Sequence, residues 1–308
     1  MKVLISGLLN IETTVAVKGF PIPYFPIDYP FFGVNAHVSG VGYNLAGAFS
    51  ALGDKAEIIS FLGSDEESER VLNQLAKDGI SAEGIVRSLK NTPVSVVLFD
   101  NTGKRQIYCD LKDIQEKSID INSKLVEKKI DECDVVCACN INFNRTLIKK
   151  AAEMSKLIAT DVHIIYDAED EYNKDFMQNA GILFLSDEGL PCEPKEFIQR
   201  LEDKYHSDII VIGMGKSGAM LLDGERQKIY RLSAAKCGHV VNTVGAGDAL
   251  FSSFIHYYVK GINCIDALKR AEMFAAMKIG YNGASVGFGS EQEIEMSLAY
   301  SGIESFEI

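Results

Sequence analysis

A chain of 308 residues, 47% of them hydrophobic and with a mean hydropathy of +0.04, carries enough apolar content for one or two substantial cores and is not a disordered or low-complexity protein. Its net charge of −12, from 43 acidic and 31 basic side chains, argues against a general nucleic-acid or anionic-membrane binder, whose partners are met with clustered lysine and arginine. No apolar run approaches the ~20 residues that span a bilayer, and seven cysteines, an odd number, predict reduced thiols in the cytoplasm rather than a disulfide framework.

The run VLISGLL is broken at once by Asn10 and Glu12, has no small-residue cleavage pattern after it, and reads as a first buried strand over 2–8. The segment KGFPIPYFPIDYPFFG that follows holds four of the seven prolines, which excludes regular helix. It either exposes an apolar surface for a substrate or second subunit or packs irregularly on the protein's own core. From VGYNLAGAFSALGDKAEIISFLG onward helix and strand alternate: a small-residue helix from about Asn44 to Leu52, Gly53 as its stop, and an apolar strand. Residues 93–111 break the rhythm as a hairpin turning at DNTGK. DVVCACNIN, IIYDAED, GILFLS and DIIVIGM then read as short buried strands between helices, the pattern of a parallel sheet covered on both faces. Three helical patterns close the chain, including 248–259 and 265–279. Cys133, Cys137 and Cys139 cluster on an alternating strand without a paired C-x-x-C, so they read as buried structural thiols.

The chemistry concentrates in NTVGAGDALF, residues 242–251. Glycine and alanine in succession let the backbone turn with its N–H groups bared, and the helix that follows adds its positive N-terminal end, which together make an anion cradle. Asp248 stands in that cradle. It either caps the helix or removes a proton from whatever receives the anion, a combination that suits phosphoryl transfer. GMGKSG, residues 213–218, is literally G-x-G-x-x-G, but a second apolar run and the turn DGER follow where a dinucleotide site needs a helix; these glycines lie in a strand-turn-strand ribbon. No P-loop occurs. In SGVGYNLAG, Gly40 and Gly42 permit close backbone approach, and Asn44 is either the helix N-cap or an amide that both donates to and accepts from sugar hydroxyls. The five histidines show no metal or base spacing; His37 and His239 are the two near these motifs, and packing or surface roles suit them.

SGVGYNLAGAFSALG and NTVGAGDALFSSFIHYYVKG together resemble the two signatures of the ribokinase-like, phosphofructokinase-B carbohydrate kinases, in the expected order. GLLNIE, TPVSVVLFDNTGKRQ, IIYDAED and VIGMGKSGAMLLD extend the resemblance over nearly the whole chain. It implies a single α/β domain over 1–308, a three-layer α/β/α sandwich with a mostly parallel central sheet, and a small β-sheet lid formed from about 11–38 and 92–113. It implies ATP-dependent phosphorylation of a hydroxyl on a small sugar, with magnesium, and a homodimer joined through the lid. Asp248 falls at the general base, and the amides of Gly245, Ala246 and Gly247 at the anion hole. Asn10, Glu12, Gly40, Gly42 and Asn44 fall where substrate hydroxyls are held. Thr243, Gly215, Gly218, Ser186 and Asn282 fall around the nucleotide, and Glu188 and Asp167 are the candidate magnesium ligands.

The departures are specific. Asn242 replaces the aspartate that opens the second signature and helps bind a monovalent cation, which puts potassium dependence in question. Val41 stands where the fructose-phosphate kinases of the family, like ribokinase, usually carry lysine, which disfavours a phosphorylated acceptor and does not secure ribose itself. The N-x-x-E segment near the magnesium reads Ser186 to Gly189, with Glu188 one place short, and Glu12 replaces a shorter aspartate. A nucleoside kinase and a catalytically silent ligand sensor of the same fold are the alternatives, and a nicotinamide oxidoreductase built on GMGKSG is the rival from another class.

Overall fold

The computed structural model describes every residue of the chain except Cys237 and Asn282. Its centre is a ten-stranded sheet. The strands are β1 (Lys2–Ser6), β4 (Lys55–Leu62), β5 (Ile85–Arg87), β8 (Val135–Ala138), β9 (Ile158–Asp161), β10 (Ile182–Ser186), β11 (Ile209–Gly213), β12 (Ala219–Asp223), β13 (Lys228–Leu232) and β14 (Ser305–Glu307), between which β2 (Asn10–Ala16), β3 (Val34–Ser39), β6 (Val94–Phe99) and β7 (Arg105–Asp110) form a second, four-stranded sheet. The large sheet runs β14-β13-β12-β11-β10-β9-β8-β1-β4-β5 and is parallel from β11 to β5, with an antiparallel β12-β13-β14 edge. Ile-Leu-Phe-Leu and Ile-Ile-Val-Ile in β10 and β11 are buried on both faces, which is why these strands show no alternation.

The helices are α1 (Val41–Ala51), α2 (Glu66–Lys77), α3 (Lys124–Glu132), α4 (Arg145–Glu153), α5 (Lys174–Asn179), α6 (Pro194–Tyr205), α7 (Ala246–Val259), α8 (Cys264–Lys278) and α9 (Glu291–Leu298). α1, α7, α8 and α9 pack together on one face, while α3, α4 and α6 pack on the strands from the other, with α5 between α4 and α6. The result is the expected three-layer sandwich. The small sheet, ordered β3-β2-β6-β7, closes the hairpin around Asp100, whose carboxylate accepts from the N–H groups of Thr102 and Lys104. Residues 18–33 carry no regular structure and leave Tyr24, Phe31 and Phe32 almost fully exposed, so the apolar-surface alternative for this segment is the one realised.

Two expected elements move. The strand expected at IIYDAED is instead Ile158–Asp161, because its register against β10 ends where Phe184 pairs with Asp161; His163 then turns out at φ 59 and residues 162–173 form a loop in which Ile164 and Tyr166 are exposed. The helix expected from about Asn44 begins three residues earlier, since Gly40, not Asn44, is its N-cap.

Glu272 on α8 is buried with no ion pair among the described residues, and burial pushes its carboxyl up to about 8, only partly offset by the Ala235 N–H and by Arg231. A raised folded-state value favours the protonated folded protein, so this group's contribution to stability is complete below its ordinary range and fades as pH rises through about 8. Glu272→Gln keeps the acceptor without the charge. It is expected to gain about 2 to 4 kcal/mol over the parent between pH 5 and pH 8.5 in urea unfolding; a constant difference across that range would refute the assignment.

Candidate active site

Seven parallel strands present their C-terminal ends to one rim of the large sheet, and the order reverses on either side of β1, the position where open α/β sheets bind ligands. The start of α7 lies on this rim. Gly245 is its N-cap at φ +81, and a Cβ there would collide with the Ala284 carbonyl, so glycine is required on both counts. Among the described residues no side chain caps the helix. Of the three expected cradle amides, that of Ala246 is engaged by the Thr243 carbonyl at 3.2 Å; those of Gly245 and Gly247, together with the N–H of Asp248, have no hydrogen-bond acceptor among the described residues. Unsatisfied donors at a helix's positive end favour an anion.

Asp248 is the third residue of α7 and does not cap it. Its Oδ2 accepts instead from Asn44 Nδ2 at 2.7 Å, across the α1–α7 contact. Asn44 sits within the first turn of α1, its N–H bonded to the Gly40 carbonyl, so its amide is free of capping duty. A narrow recess beside the carboxylate is lined by Val41, Leu45, Ala138, Cys139, Asp161 and Phe251. Burial pushes the Asp248 carboxyl above its ordinary range; the Asn44 hydrogen bond, His163 and Lys278 act against that, and Asp161 adds to it.

On the other side of the cleft the pleat of β2 sends Asn10, Glu12 and Thr14 to one face, all buried. Asn10 Nδ2 donates to Ser95 Oγ at 2.9 Å, while Asn10 Oδ1 and Thr14 Oγ1 have no partner among the described residues. Glu12 Oε1 lies 3.2 Å from His37 Nε2, its opposite number on β3. Gly40, at φ +100, and Gly42 let the start of α1 press against the backbone of residues 7–8, with Gly42 N–H on the Leu8 carbonyl. Their close approach is to the chain itself, and it is what delivers Asn44 to Asp248.

Thr243 Oγ1 accepts from Arg105 Nη1 of β7 at 3.1 Å, and Val97 of β6 is sealed against Val244 and Ala284, so the small sheet touches the cradle directly. Gly215 and Gly218 lie in the turn of the β11–β12 ribbon, clamped by Arg231 through Met214 Sδ and the Ser217 carbonyl. Ser186 ends β10, and its Oγ accepts from the Glu188 N–H. Asn282 lies outside the described residues. Asp167 is not at the recess: it is exposed in the loop after β9, where it accepts from the Glu169 N–H, and the acid brought beside Asp248 is Asp161. Magnesium is held through one or two carboxylates and the substrate's phosphates. Asp187 and Glu188 supply two adjacent ones at the end of β10, where burial and then Glu188 raise the Asp187 carboxyl, so the donor set fits such an ion. No cluster of three or more potential ligands occurs among the described residues.

Asp161, His163, Arg105 and Lys278 escaped the sequence reading. Lys278 alone left a local trace, a single cation in the apolar run FAAMKIG.

A profile of the pfkB family carbohydrate kinases matches residues 2–289. A ribokinase of Dictyostelium discoideum is 22% identical, over 95% of this chain and 98% of its own length. A 5-dehydro-2-deoxygluconokinase of Clostridium perfringens is 26% identical over 82% and 80%. Among solved structures, a microbiome-derived acarbose kinase superposes with a TM-score of 0.86 at 22% identity, covering 97% of this chain and 98% of that one. A ribokinase of Arabidopsis thaliana complexed with ribose and ATP gives 0.77 at 18% identity, covering 96% and 98%. The fold is therefore the ribokinase fold.

Asn44→Ala removes the donor that favours the charged carboxylate. The Asp248 titration followed by carboxyl carbon NMR is expected to move to higher pH; an unchanged midpoint would show that the 2.7 Å contact does not act on the acid.

Proposed function

We propose that this chain, which belongs to the pfkB family of carbohydrate kinases and is a phosphotransferase with a hydroxyl acceptor, transfers the γ-phosphoryl of ATP to a free, unphosphorylated small sugar with Asp248 as the general base. The observation that carries this reading is the spare carboxylate: an acid in the first turn of α7 that caps nothing, is held by Asn44, and adjoins N–H groups without acceptors.

In the transfer, the acceptor oxygen bonds to phosphorus, the bond from phosphorus to the bridging oxygen breaks, and the acceptor's proton passes to an Asp248 oxygen. The N–H groups of Gly245, Gly247 and Asp248 lie where the charge on the migrating group would be met. Asp187 and Glu188 would hold magnesium, which supplies charge neutralisation to the polyphosphate. The small sheet acts as a lid, with Arg105 at Thr243 bringing a cation to the phosphate side. Asn10 Oδ1 and Thr14 Oγ1, buried and unpartnered, flank Glu12 as acceptors for hydroxyl protons, which suits a neutral polyol. Val41 in place of a lysine points the same way.

The setting in this reading is the cytoplasm: the six described cysteines are all unpaired, and none of the described helices is long and apolar enough to cross a membrane. The exposed aromatic side chains of 24–32 and Val34 and Val96 on the outer side of the small sheet supply an apolar surface that a second copy would cover.

A coupled ADP-release screen over free sugars and nucleosides identifies the acceptor. With it, Asp248→Asn is expected to lower kcat by ~10² to 10⁴ while nucleotide affinity by calorimetry stays within about threefold. Unimpaired turnover would overturn the base assignment, and turnover on nucleosides alone would overturn the sugar. Static light scattering at micromolar concentration is expected to give twice the 33.8 kDa chain mass; a monomeric mass refutes the dimer.

A further inference from the structure

Lys278, the last residue of α8, has no exposed surface. Its Nζ donates to the Gly283 carbonyl at 2.7 Å, which is its one hydrogen-bond partner among the described residues, although an ammonium has three protons to place. Burying a charge with so little direct compensation is costly, so its position calls for an explanation.

The turn it holds touches both halves of the cleft. Ala284 lies beneath the Gly245 N-cap and is sealed between Val97 and Val244. Gly283 adjoins the His37 ring, which pairs with Glu12. The N–H groups of Val241 and Asn242 both bond to the Ile279 carbonyl, tying the loop that enters the cradle to the end of α8.

The family resemblance implies a monovalent cation beside residue 242, and the residues present do not fit one. Asn242 carries no charge, and its Oδ1 accepts from the Val244 N–H at 2.9 Å. The nearby Gly283 carbonyl already faces an ammonium, whose like charge would repel a free cation.

We propose that Lys278 is a positioning residue whose ammonium serves as a tethered monovalent cation, fixing the 283–284 turn beneath the cradle so that the enzyme needs no free one. Burial lowers the Lys278 ammonium to about 8, with Asp248 and Glu12 pulling it back up, so the charge persists at neutral pH.

The inference rests on the kinase reading, and its test separates the two. Thermal unfolding of the whole protein in sodium, potassium, ammonium and tetramethylammonium chloride at fixed ionic strength requires no substrate. The parent is expected to give one midpoint in all four. Lys278→Ala is expected to be less stable and to gain about 3 °C or more in potassium or ammonium over tetramethylammonium, as a vacated site refills. Where an acceptor is in hand, the parent's kcat is expected to be indifferent to the cation, whereas Lys278→Ala loses about 10²-fold and recovers in part with potassium, ammonium or methylammonium. If Lys278→Ala does not fold, Lys278→Met takes its place, with lowered kcat as the expected result. Potassium-specific stabilisation or activation of the parent, a Lys278 variant with the parent's kcat, or a folded Lys278→Ala indifferent to small cations would each overturn the proposal. Absence of phosphorylation on any acceptor, with the thermal pattern intact, would instead count against the kinase reading alone.

Discussion

The start of α7 has to be completed from outside the helix. A fourteen-residue helix that begins at a left-handed glycine and receives no side-chain cap leaves several donors at its positive end without acceptors among the described residues. In a protein fold this is a deficit that a Ser, Thr or Asp at the N-cap would partly remove, at a gain of roughly a few tenths of a kcal/mol over glycine. Gly245 cannot be exchanged for such a residue, because Ala284 occupies the space a Cβ would need. The deficit is thus built in by packing, and an anion would relieve it.

Most of the remaining architecture positions a single carboxylate against that deficit. β1 and its turn set the backbone on which Gly40 and Gly42 seat α1, and the seating sends Asn44 to Asp248. β2 leaves the same turn to carry Asn10, Glu12 and Thr14 into the small sheet. β6 brings Val97 and β7 brings Arg105 down onto the loop that enters α7. Residues more than 200 positions apart in sequence therefore meet within hydrogen-bond distance at the rim of one sheet.

What was legible in the sequence follows from whether the cause is local. The glycine-rich turn before α7 announces itself, because left-handed backbone and steric crowding leave few alternatives to glycine. The alternation of β6 and β7 and the turn at Asp100 are likewise short-range. Asp161 was missed because Ile-Ile-Tyr further on has the stronger β propensity; the register with β10 decides the matter, and register is a tertiary property. The Glu12–His37 pair depends on where β3 falls after some seventeen irregular residues, a distance no local rule fixes. Lys278 is a lone cation near the end of an apolar helical run, and only the return of the chain at Gly283 reveals its partner.

The two buried charges of the site, Asp248 and Lys278, are opposite in sign, yet no ion pair within 4.0 Å joins them among the described residues; each is held by a neutral group, the Asn44 amide for the acid and the Gly283 carbonyl for the ammonium. Direct contact would stabilise the carboxylate strongly and depress its affinity for a proton, the property a base must keep. Separation leaves the ammonium's field in place to moderate what burial does to the acid, without quenching it. The arrangement leaves the lysine with a single neutral partner and the acid raised above its ordinary range, as the proposed base would need to be. Under the proposal made for Lys278, that balance is the reason the ammonium is held by a backbone carbonyl rather than paired with the carboxylate.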